Sequence, residues 1–305
     1  MATTAAVPGT ESGIDPIGIG LLVAGMSLAA LNGAFMKLLS TDMSEFMVVW
    51  ARYFGFFAVL LPVTLFSQGR AAFTPVRPGL QILRALAIAT ATVAFVAGAR
   101  TMAYADAIAI IYVYPFILTM LAPIFLGERV PKIAWFGVIG GFTGVLVVMR
   151  PSFANLDHSA LLVLFCGFMV AIHLLFNRKL APLANPLVTS MWGALIAMIA
   201  LSTTLPVFWQ TPDANQLKIM AAIAGTSALS QSMVLFAFAR APASALAPFT
   251  YMEIVSAVVI GWIIFGTMPD AISWSGMALI VASGLIVAQA PRLGAWVTKR
   301  RHPAV

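Results

Sequence analysis

Ten apolar stretches, each long enough to cross a bilayer, divide this chain of 305 residues. A spanning helix needs roughly 20 mainly apolar residues to match a hydrocarbon core about 30 Å thick. Charges thin out for that length at 16–39, 45–67, 79–98, 103–126, 133–149, 159–177, 187–208, 218–238, 243–265 and 271–290. A soluble shell is excluded on composition. With 61% hydrophobic residues, 9% charged residues and a mean hydropathy of +1.00, there is too little polar surface to cover a water-facing fold. A transmembrane barrel is excluded on pattern, because barrel strands alternate polar and apolar positions. The runs here are continuous, as in LLVAGMSLAALNGAF at 21–35. The expected fold is an all-α polytopic membrane protein with ten transmembrane helices.

Lys and Arg are retained on the cytoplasmic side in short loops, so charge fixes orientation. With the N-terminus inside, the inner set holds eleven residues: Arg70, Arg77, Arg129, Lys132, Arg178, Lys179, Arg240, Arg292, Lys299, Arg300 and Arg301. The outer set holds four, Lys37, Arg100, Arg150 and Lys218, while Arg52 and Arg84 fall within spans. Both termini are therefore expected in the cytoplasm, with 1–15 and the basic 291–305 as tails. The net charge of +7 reports topology and contact with anionic inner-leaflet lipid, without need of a nucleic-acid partner. Residues 1–15 lack Lys and Arg and carry Glu11 and Asp15, unlike the basic start of a secretory signal, so the first span is expected to be retained. The sole cysteine, Cys166, has no partner for a disulfide or thiolate cluster and reads as a small core residue.

Landmarks recur in order along the two halves. Lys37 matches Lys179 and Trp50 matches Trp192 at an offset of 142. LPV at 61–63 recurs at 205–207, AR ending at Arg100 recurs at Arg240, and Trp135 with Gly137 recurs as Trp274 with Gly276. Two repeats are expected, 16–150 and 159–290. Each holds five helices, an odd number, so the second must enter the membrane inverted. That arrangement belongs to many secondary transporters, whose substrate site lies near the midplane between repeats. Two inverted copies can exchange conformations and open a central cavity first to one side, then to the other.

Over nearly its whole length the chain resembles the EamA family of the drug/metabolite transporter superfamily. The resemblance rests on the ten helices in two halves and on LTMLAPIFLGERVPKIAWFGVIGGFTGVLVV at 118–148, with Pro115, LGERVP and the Gly-rich fifth span as its most specific part. Arg52 early in the second span also fits. The second copy departs, with FGTMPD where the first has LGERVP, so Glu128 has no symmetric partner. Within the family the chain looks most like bacterial inner-membrane exporters of aromatic amino acids and related metabolites. The resemblance implies a carrier of small molecules working by alternating access, with no cofactor, and a monomer is expected to suffice.

Ionisable groups inside a span are costly and usually face a cavity or a partner. Glu253 lies about ten residues into the ninth span and Arg52 about seven residues below the outer surface, at 1.5 Å per residue. The two could meet as a buried pair, or Glu253 could couple transport to protons. Arg84 sits within snorkelling reach of the inner surface. Asp106 caps a helix start or serves transport. His173 and Asn32, at matching heights of the sixth and first spans, read as substrate contacts or interhelical hydrogen-bonders. Trp50, Tyr112, Tyr114, Trp192 and Tyr251, with Ser227, Ser230, Gln231 and Thr250, suit an amphipathic pocket; packing and interface anchoring are the alternative. Pro115 and Pro248 fall at different points of equivalent helices and should kink them as gates. Gly137 with Gly141, and Gly140 with Gly144, form overlapping GxxxG pairs for close helix packing.

The chain lacks GxxxxGK[ST], HExxH, any Cys cluster and any mid-span Lys, so a built-in ATP motor, a metal centre and a retinal site are not expected. The first reading is export of aromatic or amphipathic amino acids. Import or exchange of a nucleotide-like or cationic metabolite is the alternative, and an integral membrane enzyme has the least support.

Overall fold

The computed structural model of the protein describes residues 15–128, 130–151 and 157–301, without the side chains of 243, 244 and 291–301. The tail 1–14, Arg129 and residues 302–305 lie outside the described residues, as do the side chains of Arg292, Lys299, Arg300 and Arg301. The helices are α1 (Pro16–Leu39), α2 (Glu45–Gln68), α3 (Pro78–Ala99), α4 (Tyr104–Ile111), α5 (Tyr114–Leu126), α6 (Lys132–Met149), α7 (His158–Leu180), α8 (Pro186–Ser202), α9 (Leu205–Phe208), α10 (Ala214–Arg240), α11 (Ala243–Leu246), α12 (Met252–Phe265) and α13 (Ala271–Arg301). No strand occurs among the described residues. Helices satisfy their own backbone hydrogen bonds, which lipid cannot do for them.

Nine segments among the described residues are long and apolar enough to cross a membrane; α8 is shorter. The seventh span, expected to be continuous over 187–208, instead stops at Ser202 and resumes as α9 beyond Thr203 and Thr204. Pro206 explains the stop, because its ring excludes the carbonyl of Ser202 and it has no N–H to offer. The fourth span breaks at Tyr112 and Val113, upstream of Pro115, which opens α5. Pro115 has no N–H for the carbonyl of Ile111 and its ring crowds that carbonyl, so the interruption precedes it. The ninth span passes through a 3₁₀ turn, Ala247–Tyr251, that begins around Pro248. The prolines are not equivalent positions, yet the breaks are, since Tyr112 and Tyr251 border them at the offset of 139 shared by Trp135 and Trp274.

The packing shows the inversion directly. A Cβ on Gly137 would meet Ser283 O at 2.7 Å, and one on Gly144 would meet Gly276 O at 2.9 Å. Residue numbers rise on α6 as they fall on α13, so these equivalent helices run antiparallel. Gly276 is the counterpart of Gly137 and Ser283 the counterpart of Gly144, so each contact is the other's image across a pseudo-two-fold axis. Small residues let the backbones approach this closely, which in lipid replaces the hydrophobic drive between helices. Gly140 faces Ser283 Oγ as well, while Gly141 holds the Phe116 ring of α5. The repeats also exchange helices: α1 packs on α10 through Gly18 and Gly25, and α3 packs on α7 through Gly98. At one end of the bundle, Arg150 donates to Asp270 and Ser273 and ties α6 to the start of α13.

Candidate functional site

A cavity of about 190 Å³ lies where α1, α2, α3, α4, α7, α10 and α12 converge. Its polar lining is Asn32, Arg52, Thr92, Ser227, Ser230, Gln231 and Glu253. Ile88, Phe95, Ile108, Ile111 and Val170 supply apolar walls. It adjoins a wider cavity of about 420 Å³ through shared Arg52, Ile88, Ser227 and Gln231. The wider one reaches Leu180, Ala181, Ala184 and Pro186 at the α7–α8 loop. Together they form a vestibule entered from the Arg178 and Lys179 end.

Arg52 and Glu253 face the same chamber, yet no salt bridge within 4.0 Å joins them among the described residues. Among the described residues Arg52 has one long hydrogen bond, Nη1 to Thr92 Oγ1 at 3.5 Å, and its ring-facing neighbour is Tyr53. Most of its five donors thus remain for a solute. Tyr112 Oη lies 2.9 Å from Glu253 Oε2 and 2.6 Å from Thr250 O, and its single proton can serve one of them at a time. The Tyr112 ring packs 5.2 Å from Tyr251 and 5.4 Å from Tyr114. The broken fourth and ninth spans therefore meet at Glu253.

Asn32 is a packing anchor with an exposed edge to the chamber. Its Nδ2 lies 2.7 Å from Ile223 O, 2.8 Å from Thr226 Oγ1 and 2.9 Å from Ser227 Oγ, clasping α1 to α10. Ser230 Oγ donates to Gly25 O at 2.8 Å, so its proton is engaged. Gln231 lines both cavities and makes no side-chain hydrogen bond among the described residues.

His173 lines the wider cavity inside a closed circuit. Arg84 Nη1 donates to Asn177 Oδ1 at 3.0 Å, Asn177 Nδ2 donates to His173 Nε2 at 3.0 Å, and His173 Nδ1 donates to Arg84 O at 3.0 Å. This circuit assigns the proton to Nδ1 of a neutral ring. Arg84, within snorkelling reach of the inner surface, turns inward: it is buried and also donates to Thr189 O. Gly193 makes the room, since a Cβ there would meet Arg84 Nη2 at 2.5 Å.

Trp50 and Trp192 lie apart from these cavities. Trp50 Nε1 donates to Ser202 Oγ at 2.9 Å and its ring stacks on Phe54 at 5.1 Å. Trp192 Nε1 donates to Ala72 O at 2.9 Å. Asp106 sits in the first turn of α4 without capping it, and its Oδ1 is buried with no partner among the described residues. Pro115 and Tyr251 border a separate cavity of about 410 Å³ that ends at the ion pair of Arg178 with Glu128, 3.1 Å. Among the described residues no cluster of three or more His, Cys, Asp or Glu could hold a metal ion. Sequence reasoning missed Thr92 and the placement of Cys166 on the chamber wall.

The arrangement has room and polar groups for a small polar solute. The sequence profile of the EamA-like transporter family matches residues 16–150 and again 158–289. An S-adenosylmethionine uptake transporter of Rickettsia conorii is 24% identical over 270 residues, covering 88% of this chain and 92% of that one. A riboflavin transporter of Rhizobium johnstonii is 27% identical over 233 residues, covering 76% and 77%. A solved crystal structure aligns with a TM-score of 0.64 at 14% identity, covering 90% of this chain and 98% of that one, which shows a shared fold. The chain belongs to the EamA-like transporter family and is a multi-pass membrane transporter rather than an enzyme.

Proposed function

We propose that this transporter carries solutes with an amino-acid head group, the carboxylate meeting Arg52 and the ammonium meeting Glu253. The observation that carries the reading is one chamber presenting an unpaired guanidinium and a carboxylate. Two opposite charges brought into low dielectric cost several kcal/mol each unless paired or hydrogen-bonded, and a zwitterion pairs both at once. Ile88, Phe95, Ile108 and Ile111 then receive an apolar or aromatic side chain. The relatives named for S-adenosylmethionine support the reading, because that solute ends in the same head group. A carrier works in both directions according to the gradient, so the same chamber serves the export of aromatic amino acids inferred from the sequence.

The test is counterflow in proteoliposomes with labelled phenylalanine, tryptophan and S-adenosylmethionine. Tryptamine, which lacks the carboxylate, and indole-3-propionate, which lacks the ammonium, should compete at least about tenfold less well than tryptophan, a difference of about 1.4 kcal/mol. Arg52→Gln should bring tryptamine and tryptophan together, and Glu253→Gln should do the same for indole-3-propionate. No flux across an amino-acid panel, or equal competition by the truncated compounds, would overturn the proposal. Exchange of riboflavin alone would favour a flat neutral solute, as the names of other relatives do.

A further inference from the structure

Two helix ends at the closed side of the bundle cap each other. The last carbonyls of a helix lack backbone partners and carry the negative end of its dipole, so cations gather there. Lys37, in the last turn of α1, reaches across to α3 and donates to Ala99 O and Met102 O, both at 2.5 Å. Arg100, the C-cap of α3, reaches back to α1 and donates to Ser40 O at 2.5 Å and Met43 O at 2.9 Å. The exchange is reciprocal, and it seals this end: Leu39 and Met43 are 1% exposed and Ala99 is fully buried.

The inverted repeat places the same two cations at the other end. Lys179 is the counterpart of Lys37, in the last turn of α7, and Arg240 is the counterpart of Arg100, closing α10. Even the ring beneath the ammonium recurs, with Lys37 5.2 Å from Phe265 and Lys179 5.9 Å from Phe125. The carbonyl contacts do not recur. Among the described residues Lys179 donates no hydrogen bond, and Arg240 reaches only Asp15 at 3.7 Å. Ala181 and Ala239, counterparts of buried Leu39 and Ala99, are exposed. The mouth of the 420 Å³ cavity separates the two elements, with Leu180, Ala181 and Ala184 on one side and Leu235 and Phe238 on the other.

We infer that Lys37 with Arg100 and Lys179 with Arg240 are two copies of one latch, the first closed here and the second open, and that transport exchanges them. In the exchanged state Lys179 donates to the carbonyls of Ala239 and Pro242, and Arg240 to those of Pro182 and Asn185, the counterparts of the acceptors used now. Asp15 and Asp157 take part in the same trade. Both are N-caps, of α1 and α7, at equivalent positions. Asp15 holds Arg240 while its latch is open, whereas Asp157 makes no salt bridge to Arg100 among the described residues. The exchange moves Arg100 to Asp157 and frees Arg240.

The test needs no transported solute. In the full chain carrying Cys166→Ala, reporter cysteines are placed one at a time by Ala239→Cys at the open mouth and Met102→Cys at the sealed end, and their labelling rates with a soluble maleimide are measured in detergent. Lys37→Gln with Arg100→Gln should raise the Met102→Cys rate and lower the Ala239→Cys rate by at least about tenfold each. Adding Lys179→Gln and Arg240→Gln to that protein should restore the Ala239→Cys rate. An Ala239→Cys rate untouched by the first pair, or still depressed in the quadruple variant, would overturn the inference. Should loss of the closed latch prevent folding, the other pair decides alone, since its two residues make so few contacts in this state. In otherwise parental protein, Lys179→Gln with Arg240→Gln should slow Met102→Cys labelling at least about fivefold by removing the state that exposes it. An unchanged rate there would also overturn the latch.

Discussion

A single charge pair shows how the ends of the bundle are fastened. Asp270 precedes α13 and accepts hydrogen bonds from Arg150 and from the backbone N–H of Ser273, 2.9 Å away. These hydrogen bonds, led by the one from Arg150, hold the Asp270 carboxyl well below the usual carboxylate range. A carboxyl so lowered contributes stability above its unfolded value, near 3.9, and loses that contribution as pH falls through the folded value. Melting of the purified protein in detergent should therefore separate Asp270→Asn from the parent at pH 7, and the gap should narrow as the pH is lowered from about 4 toward 2. A gap that does not narrow over that range would mean that the carboxylate's charge is not what fastens the two helices. Both side chains are about half exposed, so solvent screens the pair and the difference should be small. Arg84 is the opposite case. Its charge could be read from the sequence but its burial could not, because a long side chain near a helix end can snorkel or turn inward, and Gly193 on another helix decides which.

Among the helices, the hydropathy windows carry most of what the sequence discloses. Span positions were legible because length and charge alone define them. Which helices touch was not legible, since spans hydrophobic on every side give no periodic face to read. Trp50 and Trp192 illustrate this, matched in the repeat yet seated away from the cavities. The prolines announced interruptions in the fourth and ninth spans, but the equivalence of the breaks lay in Tyr112 and Tyr251, whose shared offset was available and unused. Glycines, by contrast, carry a graded expectation. A Cβ on Gly144 would meet Gly276 O at 2.9 Å and Ile280 N at 3.0 Å, backbone atoms with nowhere to yield. A Cβ on Gly20 would meet nothing within 4 Å. Gly144→Val should cost about 1–3 kcal/mol through overpacking, whereas Gly20→Ala should be neutral or gain up to about 1 kcal/mol from helix propensity. Melting temperatures in detergent check both, and equal losses at the two sites would mean that the α6–α13 approach is not tight.

For the molecule as a whole, the inverted repeat turns one conformation into a description of two, and orientation gives each a direction. The open vestibule ends at the α7–α8 loop, beside Arg178 and Lys179, and the sealed end carries Lys37 and Arg100. The first pair belongs to the inner set of eleven basic residues and the second to the outer set of four. Loop charge of this asymmetry sets topology because Lys and Arg resist translocation. The conformation seen here should therefore face the cytoplasm. Single cysteines in a Cys166→Ala chain offer the check, with Leu183→Cys in the exposed α7–α8 loop and Thr41→Cys in the exposed α1–α2 loop. An impermeant maleimide should label Leu183→Cys in inside-out vesicles and Thr41→Cys in right-side-out ones. The reverse pattern would turn the molecule over, leaving the repeat and the chamber intact while making this the outward-facing state.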